Sequence, residues 1–252
     1  MWLYPRIVAH RGGGTLAPEN TLAALRCGLA HGYRAVEFDV MLSSDGVPIL
    51  MHDPEFGRTV PGRGIVGELP AARLMALDAG SWFSPSFAGE PVPSFEQAAR
   101  FCKENGIWMN VEIKPVPGYE AATGKAVAEW TARLFPAEFA DADRAALPLL
   151  SSFSPEALMA ARQAAPKLPR ALLVKSIPAD WLARLRVLGA IALHVDHTRL
   201  TERRARAVKQ HGFGLFCYTV NSPGRARELL DWGVDAFCTD RIDLISPDPA
   251  RL

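Results

Sequence analysis

Alternation constrains this chain more than any other feature. Short apolar runs of strand length recur along it, separated by longer amphipathic stretches. Strand candidates fall at 7–10, 35–40, 107–113, 147–151, 170–174, 190–195, 214–219 and 235–239. Helix candidates fall at 19–31, 94–105, 119–135, 179–188, 201–211 and 222–232, and Ser154-Pro155-Glu156 reads as an N-cap with Pro at the first helical position. Repeated β-α units imply a parallel sheet with right-handed crossovers. Eight units in 252 residues favour a closed barrel, which typically needs about 250 residues. The rival, a doubly wound open sheet, lacks a Gly-x-Gly-x-x-Gly turn after the first strand. The expected fold is therefore α/β, a TIM (β/α)₈ barrel forming one domain over residues 1–252. Asp45-Gly46 signals a turn, and Pro48 to His52 a hairpin return. The Gly- and Pro-rich stretch 57–93 reads as a small insertion after strand two.

Composition narrows the partners. At 49% hydrophobic and 22% charged the chain can bury a sizeable core, which excludes disorder. Its 28 basic and 27 acidic residues leave a net charge of +1, no footprint for nucleic acid, though a small anion pocket is allowed. The four cysteines lie far apart with no Cys-x-x-Cys pair, which disfavours a zinc ribbon or dithiol motif. Cys217 and Cys238 sit in apolar runs and read as buried thiols. No signal peptide is read at Met1 to His10, and no window offers about 20 apolar residues for a membrane span. A soluble cytoplasmic protein without stable membrane insertion is expected.

In a barrel enzyme the chemistry lies at the carboxyl ends of the strands. Strand one ends in His10-Arg11. Strand two carries Glu37 and Asp39 on one face, with Val36, Phe38 and Val40 on the other, toward the helices. The strand at 107–113 leads Asn110, Glu112 and Lys114 along one face. Three unpaired carboxylates are costly to bury and need a cation. One solution is a metal ion, and an all-carboxylate set selects a hard one, Mg²⁺ or Ca²⁺. The other is structural, with Glu112 paired to Lys114 or Arg11 and Glu37 and Asp39 solvated at the barrel mouth.

His10 and His52 flank this cluster. Either alone reads as a structural residue; together they can supply a general base and a general acid. Arg11-Gly12-Gly13-Gly14 could bring backbone N–H groups to an anion, with a helix N-terminus near Pro18, and Arg11 can grip phosphate as a fork. His31 and His211 precede glycines at helix ends and read as C-caps. His194 and Asp196 share a face, where either a substrate contact or plain loop polarity is possible. Ser151-Ser152 reads as a cap or as pocket lining, since no Gly-x-Ser-x-Gly elbow exists.

His10-Arg11-Gly12, Pro18-Glu19-Asn20-Thr21, Glu37-Phe38-Asp39-Val40, Asp45-Gly46, His52-Asp53, Glu112-Ile113-Lys114-Pro115, Tyr218-Thr219-Val220-Asn221 and Thr239-Asp240 occur in that order. The series resembles the glycerophosphodiester phosphodiesterase family over nearly the whole chain, most closely its short cytosolic bacterial members. Arg6 to Gly14, Gly80-Ser81-Trp82 and Trp232-Gly233-Val234-Asp235 carry that closer likeness. The resemblance implies a TIM barrel and a divalent cation, Mg²⁺ in preference to Ca²⁺, on Glu37, Asp39 and Glu112. It implies catalytic His10 and His52, phosphate contacts from Arg11 and Lys114, and an aromatic substrate wall at Tyr218, where many members have Trp.

The implied reaction is hydrolysis of a small glycerophosphodiester to sn-glycerol 3-phosphate and an alcohol. Either histidine can take either proton role, and the attacker is water or the glycerol's own hydroxyl. Two rivals stand beside it. A lipid phosphodiesterase would use a membrane-binding loop, for which Trp82, Phe83 and Phe87 are candidates, although these also read as a pocket cover. A catalytically inactive barrel would bind a phosphorylated metabolite without turnover.

Overall fold

A computed structural model describes residues 2–141 and 143–252. The strands are β1 (Ile7–Ala9), β2 (Ala35–Leu42), β3 (Pro48–Leu50), β4 (Trp108–Ile113), β5 (Leu149–Ser152), β6 (Arg170–Val174), β7 (Ala192–Asp196), β8 (Gly214–Tyr218) and β9 (Ala236–Thr239). The helices are α1 (Leu22–Ala30), α2 (Ala71–Leu74), α3 (Phe95–Glu104), α4 (Glu120–Leu134), α5 (Pro136–Ala140), α6 (Pro155–Ala164), α7 (Trp181–Leu188), α8 (Glu202–Gln210) and α9 (Pro223–Asp231). Eight parallel strands run in the order β1-β9-β8-β7-β6-β5-β4-β2, and β1 pairs with β2 to close the barrel. β3 folds back antiparallel on β2, with Val40 opposite Leu50. The expected (β/α)₈ barrel and hairpin return are present.

Caps set where several helices begin. Thr21 accepts from the Ala24 N–H at α1, and Ser94 and Gln97 form a reciprocal capping box at α3. Ser154 and Ser222 cap α6 and α9, each followed by Pro. The expected helix at 19–31 starts later, at Leu22. Pro18 to Thr21 instead form a turn in which Asn20 takes a left-handed φ of 58°. The expected helix at 119–135 is α4, and a separate short helix, α5, begins after it at Pro136.

Period-two alternation sorts the strand residues. Phe38 points outward and meets Phe95 of α3 at 6.2 Å between ring centroids, within the core between strands and helices. The inward residues fill the barrel axis. β3 and the segment between it and α3 pack a small separate core of Ile49, Met51, Val60, Val66, Leu74 and Val92 against Met41. Among the described residues, no helix is long and apolar enough to cross a membrane.

Candidate active site

Glu37, Asp39 and Glu112 reach the barrel mouth because β2 and β4 are adjacent and in register. Asp39 pairs with Glu112, and Glu37 with Asn110. Each carboxylate offers an oxygen within 4.8 Å of the others. His10 follows β1 directly, His52 follows β3, and Lys114 follows β4. These six residues, with Arg11 and Tyr218, line one cavity of about 170 Å³. All eight site residues expected from the sequence therefore meet in one place.

The carboxylates are not solvated; Glu37 is 4% and Asp39 2% exposed. Lys114 Nζ lies 3.3 Å from Asp39 and 3.5 Å from Glu112, and Arg11 Nε lies 3.6 Å from Asp39. Asn20 donates to Asp39 at 2.9 Å, and the Arg11 N–H donates to Glu37 at 3.2 Å. Burial opposes ionisation of all three. It pushes Glu37 and Glu112 above the usual carboxylate range, and the neighbouring charge of Asp39 pushes them further. For Asp39 burial is outweighed by Lys114 and Arg11, which hold it below that range. Two cations therefore secure one carboxylate and leave two under electrostatic pressure. An all-oxygen donor set in that condition fits a hard divalent cation.

Each histidine is held by a carboxylate. His10 Nδ1 lies 2.5 Å from Asp240, and His52 Nδ1 lies 2.5 Å from Asp53. That arrangement fixes each ring and leaves Nε2 as the working nitrogen. Burial pulls the His10 pKa down, but the Asp240 hydrogen bond and the charges of Glu37 and Asp240 carry it above the ordinary value. Burial lowers that of His52; Asp39 raises it, but Arg11 and Lys114 add to the lowering.

A further layer of charge ties these parts together. Arg58, at the start of the insertion, donates to Asp53 at 2.5 Å and to both oxygens of Glu19, at 2.7 and 2.8 Å. Glu19 also accepts from Arg11 at 2.7 Å. Asn221 donates to Asp240 at 2.9 Å. Arg11, with φ of 51°, sits in left-handed backbone without the side-chain compensation available to Asn20. Its carbonyl accepts from the Asn20 N–H at 3.1 Å, which holds the strained turn closed. Residue-by-residue reading missed Asp53, Asp240, Glu19, Asn20, Arg58 and Asn221 as functional parts. All but Arg58 stand inside the quoted motifs, so adjacency was the available signal.

The glycerophosphoryl diester phosphodiesterase family profile matches residues 10–244. The chain belongs to that family. Relatives include glycerophosphodiester phosphodiesterases of Caldanaerobacter subterraneus subsp. tengcongensis, 30% identical over 93% of both chains, and of Bacillus subtilis, 30% identical over 94% of this chain and 84% of that one. Among solved structures, a phosphodiesterase of Oleispira antarctica in complex with the product sn-glycerol 3-phosphate superposes with a TM-score of 0.87. It is 35% identical and covers 94% of this chain and 93% of its own. The expected enzyme class is thus borne out: this is a phosphodiesterase of that family.

Other expectations for this family member need correction. The glycines after His10 have a packing role that the sequence reading did not give them. A Cβ on Gly12 would sit 3.1 Å from Ala24 and Leu25, and one on Gly14 would sit 2.1 Å from the Asp240 carbonyl oxygen. They permit close packing against α1 and the loop after β9, and the helix N-terminus expected near Pro18 begins at Leu22. Trp82, Phe83 and Phe87 stack edge-on among themselves, and none lines the cavity. Its aromatic wall is Tyr218 with Phe153, which meet edge to face at 5.8 Å. Tyr218 donates its hydroxyl to Val174 at 2.9 Å, which fixes the ring. Asp196 turns away to cap Thr198, whereas His194 lines the cavity. Ser152 donates to the Ile113 carbonyl and so ties β5 to β4. His31 and His211 are C-caps as expected.

Proposed function

We propose that this phosphodiesterase hydrolyses a small glycerophosphodiester to sn-glycerol 3-phosphate and an alcohol, with a divalent cation on Glu37, Asp39 and Glu112. The carrying observation is three buried carboxylates between two histidines, each histidine oriented by its own carboxylate, around one cavity. The Oleispira relative, with its bound product, supports the substrate class. When bound, the cation supplies Lewis-acid stabilisation of charge developing on the phosphate. The likeness to the short cytosolic bacterial members favours Mg²⁺ over Ca²⁺, and three carboxylates would leave an octahedral ion positions for water or substrate oxygens.

The chain's own groups do the rest. Arg11 and Lys114 neutralise and orient the phosphate. One of His10 and His52 takes the proton from the attacking oxygen as it bonds to phosphorus. The other protonates the alcohol oxygen as its bond to phosphorus breaks, which requires the two to act from opposite sides. Tyr218 walls the substrate. The whole chain, residues 1–252, works as one domain, with 57–93 as an insertion that delivers Arg58. The likeness to cytosolic bacterial members supports a cytoplasmic role in recycling products of glycerophospholipid breakdown.

The test is metal-stripped protein with glycerophosphocholine, measuring sn-glycerol 3-phosphate release with and without Mg²⁺ or Ca²⁺. Release is expected with Mg²⁺ and not without metal. No release from this or other glycerophosphodiesters, with either ion, would leave an inactive binding barrel instead.

A further inference from the structure

The cavity continues below the charged groups to a floor that the proposed reaction does not use. Asn110, Leu173, His194, Phe216 and Cys238 line it. Leu173, Phe216 and Cys238 give it apolar walls. Two of its polar groups have unmet hydrogen-bonding capacity. His194 is 0% exposed, and neither ring nitrogen has a hydrogen-bond partner among the described residues. Asn110 is 2% exposed, and its Oδ1 likewise has none. A buried polar atom left unmatched costs about 1–3 kcal/mol, so groups in this state are stabilised by whatever hydrogen-bonds to them.

We propose that Asn110 and His194 form a neutral subsite that binds the terminal hydroxyl of the glycerol half of the substrate. The inference rests on the phosphodiesterase reading and adds which end of the diester enters first. Asn110 pairs with Glu37 and lies two residues before Glu112 on the same face of β4, which at about 3.3 Å per residue puts it roughly 6.6 Å below Glu112. A three-carbon chain from a phosphate ester to a terminal hydroxyl, plus one hydrogen bond of about 2.8 Å, covers that drop.

The chemistry also matches. The His194 ring lies flat against Phe216, with centroids 4.4 Å apart and planes 24° apart. Burial strongly favours the neutral ring, which has one donor and one acceptor nitrogen, as a hydroxyl requires. The Asn110 carbonyl oxygen adds an acceptor. A charged headgroup gains nothing from such a floor and would lose its hydration there. The alcohol half is left at the mouth, beside Phe153, which is 43% exposed.

The experiment compares kcat/KM for glycerophosphocholine with that for two analogues. In one, propane-1,2-diol replaces glycerol, which removes the terminal hydroxyl; in the other, propane-1,3-diol removes the central one. Wild type should reject the 1,2-diol diester by about 10- to 100-fold, because its floor groups then lose their partner. His194→Phe and Asn110→Ala should each bring that ratio close to one. A variant that only loosens the barrel slows both substrates together and keeps the ratio. Retention of the wild-type ratio in both variants would overturn the proposal. So would a wild type indifferent to the terminal hydroxyl, whose floor would then hold only water. If wild type cleaves none of the three diesters, the phosphodiesterase reading fails instead. The floor is then read from calorimetric affinities for sn-glycerol 3-phosphate and propane-1,2-diol 1-phosphate, in wild type and both variants. Tighter binding of the glycerol compound, lost in the variants, upholds the subsite; equal binding overturns it.

Discussion

At the amino end of the barrel, Leu149, Ala171 and Ala192 face inward and Trp2, Tyr4 and Trp108 close the opening. Tyr4 stacks on Trp108 at 4.6 Å and meets Trp2 edge-on at 5.1 Å. At the carboxyl end, β2, β4 and β8 turn Glu37, Asp39, Glu112 and Tyr218 into a cavity that His10 and Lys114 also line, and β4 serves both ends. The alternation that fills one end with small residues under an aromatic plug fills the other with charge. Aromatic and apolar contact is non-directional and asks mainly for volume. The charged end works only if each ion finds its partner at a defined distance, and those partners come from β2, β4 and the loops after β1, β3, β4, β8 and β9. A barrel strand can thus be stabilising at one end and reactive at the other, with a neutral polar band of Asn110 and His194 between.

Substitutions separate the two ends. The largest effect belongs to the mouth: Asp39→Asn should lower kcat/KM by about 10³-fold or more, because it removes the charge that Lys114 and Arg11 secure. Metal titration should show weakened affinity in the same variant; normal affinity and turnover would break the assignment. His10→Ala and His52→Ala should each cost about 10²–10⁴-fold in kcat, since each removes one proton transfer. Near-normal turnover by either would remove that histidine from the chemistry.

The plug should respond in stability and not in chemistry. Trp108→Ala should cost about 3 kcal/mol by chemical denaturation, through lost packing and the cavity left behind, with kcat at a permissive temperature close to wild type. A large kcat loss in a still-folded Trp108→Ala would mean the ends are coupled.

The smallest effect lies in the band between. His194 is buried and its pKa is lowered to about 3, whereas an unfolded histidine titrates near 6.5. Between those values the unfolded chain binds the extra proton, so stability falls as the pH drops from about 6.5 toward 3 and is unaffected above that window. The loss from pH 6.5 to 5 attributable to this residue should be about 2 kcal/mol. His194→Phe should flatten that part of the curve relative to wild type. An unchanged acid limb would show that the ring is hydrated or protonated in the folded state.

Much of this was legible along the chain. The strands at 35–40 and 107–113 announced which face carried carboxylates, because period two is a local property of the backbone. Glu37, Asp39 and Glu112 could be picked out as a set because buried charge in a barrel strand has no cheap explanation. The roles of the glycines after His10 were not legible. A glycine that permits a backbone to approach an anion and one that admits Ala24 or the Asp240 carbonyl look identical in sequence. The Trp82, Phe83 and Phe87 cluster was misplaced for a similar reason, since aromatic residues in an insertion can cover a pocket or one another.

By itself the sequence determined the eight β-α units, the inward and outward faces of each strand, and the residue types available at the strand ends. These follow from local periodicity and from the cost of burying charge. Only the tertiary structure decided that Asp240 holds His10, that Asp53 holds His52, and that Arg58 binds Asp53 and Glu19 together. It alone placed His194 beneath the site and Asp196 outside it, although the two are neighbours on one strand. Those choices depend on how the closing of the barrel brings β1, β3 and β9 around β2 and β4. No window of sequence contains that closure, because it arises from pairings between residues up to 230 positions apart.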